Sequence, residues 1–184
     1  MIFKNFLSIK NNKIIKKDLQ ELLKNPPPVF ETLKPTYRYS YSKKIITKYK
    51  KFSNIRLIGM GGSILGSEAI YNFLKPKIKK KLTFVNNLNS NADYFNNRNI
   101  NLNLVISKSG NTLETIANAN VLAKKKDKNI FITETKNNYL TNLAKQLKSE
   151  IFEHKNYIGG RYSVLSEVGM LPAELMNLNE KKFK

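Results

Sequence analysis

The chain of 184 residues has no cysteine, no tryptophan and a single histidine. Without cysteine there is no disulfide framework, no thiolate metal site and no thiol nucleophile. With His154 alone, a zinc centre built from several imidazoles is excluded within the chain. Long apolar runs are also missing, since none approaches the roughly 20 residues that span a bilayer. Met1 to Lys10 lacks the apolar core and the small-residue cleavage site of a signal peptide. These absences point to a cytoplasmic protein that needs no metal and no membrane.

Acidic residues are scarce, 13 against 33 basic ones, for a net charge of +20. Such a balance invites a nucleic-acid reading. However, the charge is almost all lysine, and arginine is confined to Arg38, Arg56, Arg98 and Arg161. Arginine supplies the rigid fork that reads phosphates and bases bidentately. The expectation is therefore a solvated lysine surface and no nucleic-acid partner, with a potential that attracts anionic small molecules.

What is present divides into two regions. Residues 1–52 read as a helical N-terminal arm packed as a flap on the main domain. Within it, Ile14, Ile15, Leu19, Leu22 and Leu23 fall on one face of an amphipathic helix from Lys13 to Lys24. Asn25-Pro26-Pro27-Pro28 stops that helix, and a second short one is expected from Ser42 to Phe52. Residues 53–184 alternate apolar runs with helical patterns. Strands are expected at Ile55–Ile58, Leu82–Val85, Leu102–Ile106, Asn129–Thr133 and Glu150–Phe152. Helices are expected from Ser63 to Leu74, Leu113 to Lys124, Tyr139 to Leu147, and Ser163 to about Leu175. This alternation implies a parallel sheet covered on both faces, an α/β domain.

Three polar junctions follow strands and open helices: Gly59-Met60-Gly61-Gly62-Ser63, Ser107-Lys108-Ser109-Gly110-Asn111-Thr112, and Gly159-Gly160-Arg161-Tyr162-Ser163. In a parallel sheet all such junctions lie at the carboxyl ends of the strands, where ligands bind. The second junction offers small hydroxyl donors and the start of a helix, a natural anion site. It also reads as a plain capped turn in which Asn111 and Glu114 form something like a capping box. Neither a dinucleotide fingerprint nor a nucleotide phosphate loop of the usual spacing is present, so no cofactor is expected.

The three loops, in this order, resemble the glucose-6-phosphate isomerase family. The stretch Ser107 to Thr115 is similar to its phosphate loop, Gly59 to Ser63 to its first glycine-rich loop, and Gly159 to Ser163 to its arginine signature, continued by Val164-Leu165-Ser166-Glu167-Val168-Gly169. The resemblance covers about residues 50–179. It implies a sugar-isomerase (SIS) fold, a three-layer α-β-α sandwich with a five-stranded parallel sheet. It also implies a phosphate held by Ser107, Ser109 and Thr112 with the backbone N–H of Lys108, a sugar lined by Gly62, Ser63 and Gly160, and Arg161 stabilising an enediolate. The implied activity interconverts glucose 6-phosphate and fructose 6-phosphate, an intramolecular aldose–ketose isomerisation, in a homodimer. Met60 and Asn111 depart from the family's usual isoleucine and threonine.

The family's general base is a glutamate downstream of the arginine signature, followed by a histidine and a lysine. Neither His154, expected as a surface or loop residue, nor Glu167 or Glu174 matches these positions. The chain is thus expected to be the N-terminal part of such an isomerase and nearly inactive alone. The alternative is a free-standing SIS module that senses a sugar phosphate without catalysis.

Overall fold

A computed structural model describes residues 13–88 and 102–184. Arg98 and the N-terminal segment 1–12 lie outside these. Five strands, β1 (Asn54–Gly59), β2 (Lys81–Val85), β3 (Leu102–Ile106), β4 (Lys128–Thr133) and β5 (Glu150–Glu153), pair in the order β2-β1-β3-β4-β5, all parallel. Every residue of β3 is buried, as a central strand covered on both faces requires. Alternate residues of a strand point to opposite faces, so the sheet divides its apolar side chains between two cores. Leu57, Leu104, Ile130 and Ile132 join one core, while Ile58, Val105 and Phe131 join the other.

The first core is closed by α2 (Lys43–Tyr49), α3 (Leu65–Leu74) and α6 (Glu167–Leu175). The second is closed by α4 (Leu113–Leu122) and α5 (Tyr139–Gln146). The three-layer α-β-α sandwich expected from the sequence is the observed architecture. Two helices start later than expected. A 3-10 turn, Gly61–Ser63, precedes α3, and another, Gly160–Tyr162, precedes α6. The cap of α6 is Ser166, whose side chain accepts from Val168 N, whereas the Ser163 hydroxyl bonds to Gly62 O and Gly160 O. Pro172 lies inside α6 and cannot donate to Val168 O. The Ser67 hydroxyl of α3 donates to that carbonyl at 3.2 Å, which leaves it satisfied and joins the two helices.

The N-terminal region behaves in two ways. Tyr37, Tyr41, Ile46 and Tyr49 are buried, and the last three belong to the first core. Tyr39 stacks on Tyr41 at 5.0 Å and meets Tyr37 edge-on at 5.1 Å. Hydrogen bonds reach from this segment to α6. Tyr37 Oη donates to Glu167 Oε2 at 3.0 Å, Ser40 N donates to Glu167 Oε1 at 2.9 Å, and Tyr41 Oη donates to Glu174 Oε1 at 2.8 Å. The helix expected at Lys13–Lys24 also forms, as α1, but it buries no residue, and Ile14, Ile15, Leu19, Leu22 and Leu23 are all exposed. The expectation that it packs on the domain is corrected. Periodicity defines an apolar face but not the surface it meets. No helix among the described residues is long and apolar enough to cross a membrane.

Candidate functional site

The carboxyl ends of the strands gather the three junctions. Gly59, the last residue of β1, is in register with Ile106, the last of β3. Each strand then leads directly into a polar turn. The turns after β1 and β5 touch through their backbones. A Cβ placed on Gly62 would lie 2.2 Å from Gly160 O and 2.9 Å from Arg161 N, so only glycine permits this approach. The Ser163 hydroxyl sits at 3.2 Å from Gly62 O and 2.7 Å from Gly160 O, fastening the contact. β5 is an edge strand two places from β3, so residues 154–160 run back across the carboxyl edge to reach β1. On the way, Lys108 Nζ donates to Asn156 O at 2.6 Å. Lys108 also lies 3.8 Å from Glu134 Oε1, and Glu134 pairs in turn with Lys136 at 2.5 Å.

The loop from Ser107 to Thr112 is shaped from within and behind. Ser107 is buried, its backbone N–H donates to Ile132 O, and its hydroxyl is 2.9 Å from that of Thr112. Gly110 has φ +67°, a left-handed conformation natural to glycine. Thr112 is the N-cap of α4, yet its side chain makes no cap hydrogen bond. The first N–H groups of α4 thus receive no acceptor from the side chain of the cap residue. The capping box suggested for Asn111 and Glu114 is not formed. Asn111 Oδ1 instead accepts from Tyr139 N at 3.0 Å, which joins the loop to α5.

Of the residues singled out from the sequence, Gly62, Ser63, Gly160 and Arg161 meet at the paired turns, and Ser107, Lys108, Ser109 and Thr112 share the neighbouring loop. Ser63 is buried. Arg161 is exposed, stands 6.0 Å from the Tyr162 ring, and makes no ion pair among the described residues. Its charge is therefore uncommitted within them. No group of three or more His, Asp or Glu side chains among them could hold a metal ion.

His154, expected as a surface or loop residue, lies in the loop just past β5, but it is corrected to a buried position there, 1% exposed. Its Nδ1 lies 3.3 Å from Lys155 O, and its Nε2 is buried without a hydrogen-bond partner. Burial, with the Lys108 charge acting in the same sense, holds its pKa below the ordinary value. The folded state then binds fewer protons than the unfolded chain below about pH 6.5. The stability His154 contributes is therefore complete above about pH 6.5 and is lost as the pH falls through its depressed folded pKa. Urea midpoints between pH 7.5 and 5 are expected to fall in the parent chain, and the fall is expected to be smaller in His154→Gln. Equal falls in both would refute this origin.

Sequence reasoning missed Asn138, whose side chain caps α5 and packs behind Gly110. The spacing Asn138-x-x-Thr141 before an apolar helix carries the signal of a reciprocal cap. It says nothing of the loop behind which it lies. Glu167 likewise reads from the sequence as an ordinary helix residue, although it is wholly buried.

Comparison with known proteins bears on the whole arrangement. The sequence model of the family described as phosphoglucose isomerase matches residues 8–181. A glucose-6-phosphate isomerase of Methanocaldococcus jannaschii is 33% identical over 151 residues, covering 74% of this chain and 37% of that protein. One of Acholeplasma laidlawii is 36% identical over 158 residues, covering 76% and 37%. The chain thus spans a little over a third of the length of these relatives. Among solved structures, a hypothetical protein from Thermus thermophilus superposes with a TM-score of 0.74 at 20% identity, over 92% of this chain and 45% of that one. The sugar isomerase domain of an RpiR transcription factor from Sphaerobacter thermophilus superposes at 0.52 and 13% identity, over 94% and 95%. At these identities the structures speak for the fold alone. The sequence match, which runs through all three loops of the carboxyl edge, says more: the chain belongs to the phosphoglucose isomerase family.

Proposed function

We propose that this chain forms the N-terminal, phosphate-binding part of a glucose-6-phosphate isomerase. The observation that carries the reading is the pair of hydroxyls on Ser107 and Thr112, 2.9 Å apart beside the uncapped start of α4. A sugar phosphate bound there accepts from Ser107, Ser109 and Thr112, from the backbone N–H of Lys108, and from the first turn of α4. The paired turns with Gly62, Ser63 and Gly160 line the sugar. The uncommitted guanidinium of Arg161 faces the oxygen that becomes negative when a proton leaves C2, and stabilises the enediolate. The phosphate supplies binding energy remote from the reacting carbons, which orients them.

No residue of the chain matches the family's general base, whose loss costs about 100- to 10,000-fold. The chain is therefore expected to bind fructose 6-phosphate and to turn it over negligibly. Calorimetry with fructose 6-phosphate beside a coupled isomerase assay tests both halves. Absence of binding at neutral pH refutes the reading, and turnover at ordinary enzyme rates refutes the missing base. Ser107→Ala is expected to weaken binding about tenfold, the weight of one hydrogen bond to a charged group. An unchanged affinity would remove Ser107 from the site.

The absence of a matching base equally suits a module that binds without reacting. The Vibrio vulnificus NanR protein, solved in complex with ManNAc-6P, shares the fold at a TM-score of 0.56. Co-expression with the remainder of a relative's length separates the readings. Restored isomerase activity favours the enzyme part, and binding with no activity in any combination favours the module.

A further inference from the structure

The loop that faces the proposed phosphate is held from behind by one side chain that no motif assigns. Asn138 is 5% exposed. Its Oδ1 accepts from Thr141 N at 2.9 Å, and its backbone N–H donates to Thr141 Oγ1 at 3.1 Å, which closes the cap of α5. Its Nδ2 stands within reach of three acceptors: Thr133 Oγ1 at 3.3 Å, Glu134 O at 3.1 Å and Lys136 O at 3.0 Å. Two of these partners are themselves tied to the loop. Thr133 Oγ1 donates to Lys108 O at 3.3 Å, and Glu134 N donates to the same carbonyl at 3.0 Å.

The amide of Asn138 also fills the space beside Gly110. A Cβ on Gly110 would lie 2.0 Å from Asn138 Oδ1 and 2.2 Å from its Cγ. The two residues that follow Asn138 complete the grip. Tyr139 N donates to Asn111 Oδ1 at 3.0 Å and Leu140 N donates to Gly110 O at 3.2 Å. The first N–H groups of α5, which could otherwise serve an anion, are thus committed to the loop and the cap. Those of α4 have no such side-chain partner. Two neighbouring helix starts divide the work, one built as scaffold and the other open.

We propose that Asn138 is a positioning residue for the phosphate loop. It sets the left-handed turn at Gly110 so that the hydroxyls of Ser107, Ser109 and Thr112 and the start of α4 converge on one point. The assignment of that point to a phosphate rests on the function proposed above. The positioning itself does not. Asn138 touches no ligand in this scheme. It acts through Lys108, Gly110 and Asn111.

Two variants separate positioning from plain stability. Asn138→Ser keeps an N-cap oxygen for α5 but removes the amide from Gly110 and from the exit of β4. Thr141→Ala removes the reciprocal half of the cap and leaves the Gly110 contact in place. Calorimetry with fructose 6-phosphate is expected to show about a tenfold weaker Kd in Asn138→Ser, the weight of one misaligned hydrogen bond to a charged group. Thr141→Ala is expected to lower the melting temperature while holding Kd within about twofold of the parent. Amide NMR shifts of Gly110 and Asn111 in the ligand-free chain are expected to move in Asn138→Ser and to stay in Thr141→Ala. Equal losses of affinity in the two variants, or unmoved Gly110 and Asn111 amides in Asn138→Ser, overturn the proposal. If the parent chain binds no fructose 6-phosphate, the proposed function fails, and the amide shifts still decide whether Asn138 sets the loop.

Discussion

Gly62→Ala is expected to abolish measurable fructose 6-phosphate binding. The new methyl group would meet Gly160 O at 2.2 Å and Arg161 N at 2.9 Å. Both are backbone atoms, which cannot rotate aside as the tip of a flexible side chain could. The two turns must part by roughly 1 Å to reach ordinary contact in a close-packed structure. Overpacking of this kind costs about 1–3 kcal/mol of stability. A displacement of that size at a reacting centre can also cost on the order of 100-fold in function. Calorimetry and a thermal melt read the two effects separately. Gly160→Ala is the matching test of stability, because a Cβ there meets no atom within 4 Å. Its melting temperature is expected to stay near that of the parent. Parent-like binding by Gly62→Ala would show that the close backbone fit is dispensable.

Glu167→Ala is expected to release the tyrosine-bearing segment from the domain. The Glu167 carboxylate accepts from Tyr37 Oη and Ser40 N, and its side chain is fully buried. Its removal leaves one buried hydroxyl and one amide without their acceptor, each worth about 1–3 kcal/mol. A total near 3 kcal/mol is a large share of the roughly 5–15 kcal/mol that holds a domain folded. Because the chain has no tryptophan, tyrosine emission is the intrinsic signal, and Tyr37, Tyr39 and Tyr41 sit in the segment concerned. Urea unfolding followed by that emission should show a midpoint lower by about 1–3 M, given slopes of about 1–3 kcal/mol per molar urea. Glu167→Gln keeps one acceptor and should lose less. A Glu167→Ala midpoint equal to the parent's would rule out this anchor.

The layered fold was legible because its signals are local. The run Leu102 to Ile106 is apolar without alternation, as a strand buried on both faces must be, and all five residues are buried. The glycine and serine junctions mark the sheet's carboxyl edge for a similar reason, since their residue types are needed wherever backbone approaches backbone or ligand. Signals fail where the partner is distant in sequence. Asn111 looks like a helix cap, but its acceptor serves Tyr139, 28 residues away. Glu167 looks like an ordinary helix residue, but its donor Tyr37 lies 130 positions earlier. His154 reads as a surface or loop residue, and it does lie in a loop, yet it is buried there. α1 shows the reverse failure, a helix whose stripe is plain in the sequence and whose packing is not.

The backbone contact between Gly62 and Gly160 also bears on the thermodynamics of ligand capture. A wall made of main chain has no rotamers to lose when it is filled. Lysine and arginine side chains each carry about 2 kcal/mol of rotamer freedom. Lys108 is already tethered to Asn156 O before any ligand arrives. The exposed Arg161 makes no such bond among the described residues. On the function proposed above, the rotamer entropy lost on binding an anion would therefore fall mainly on Arg161.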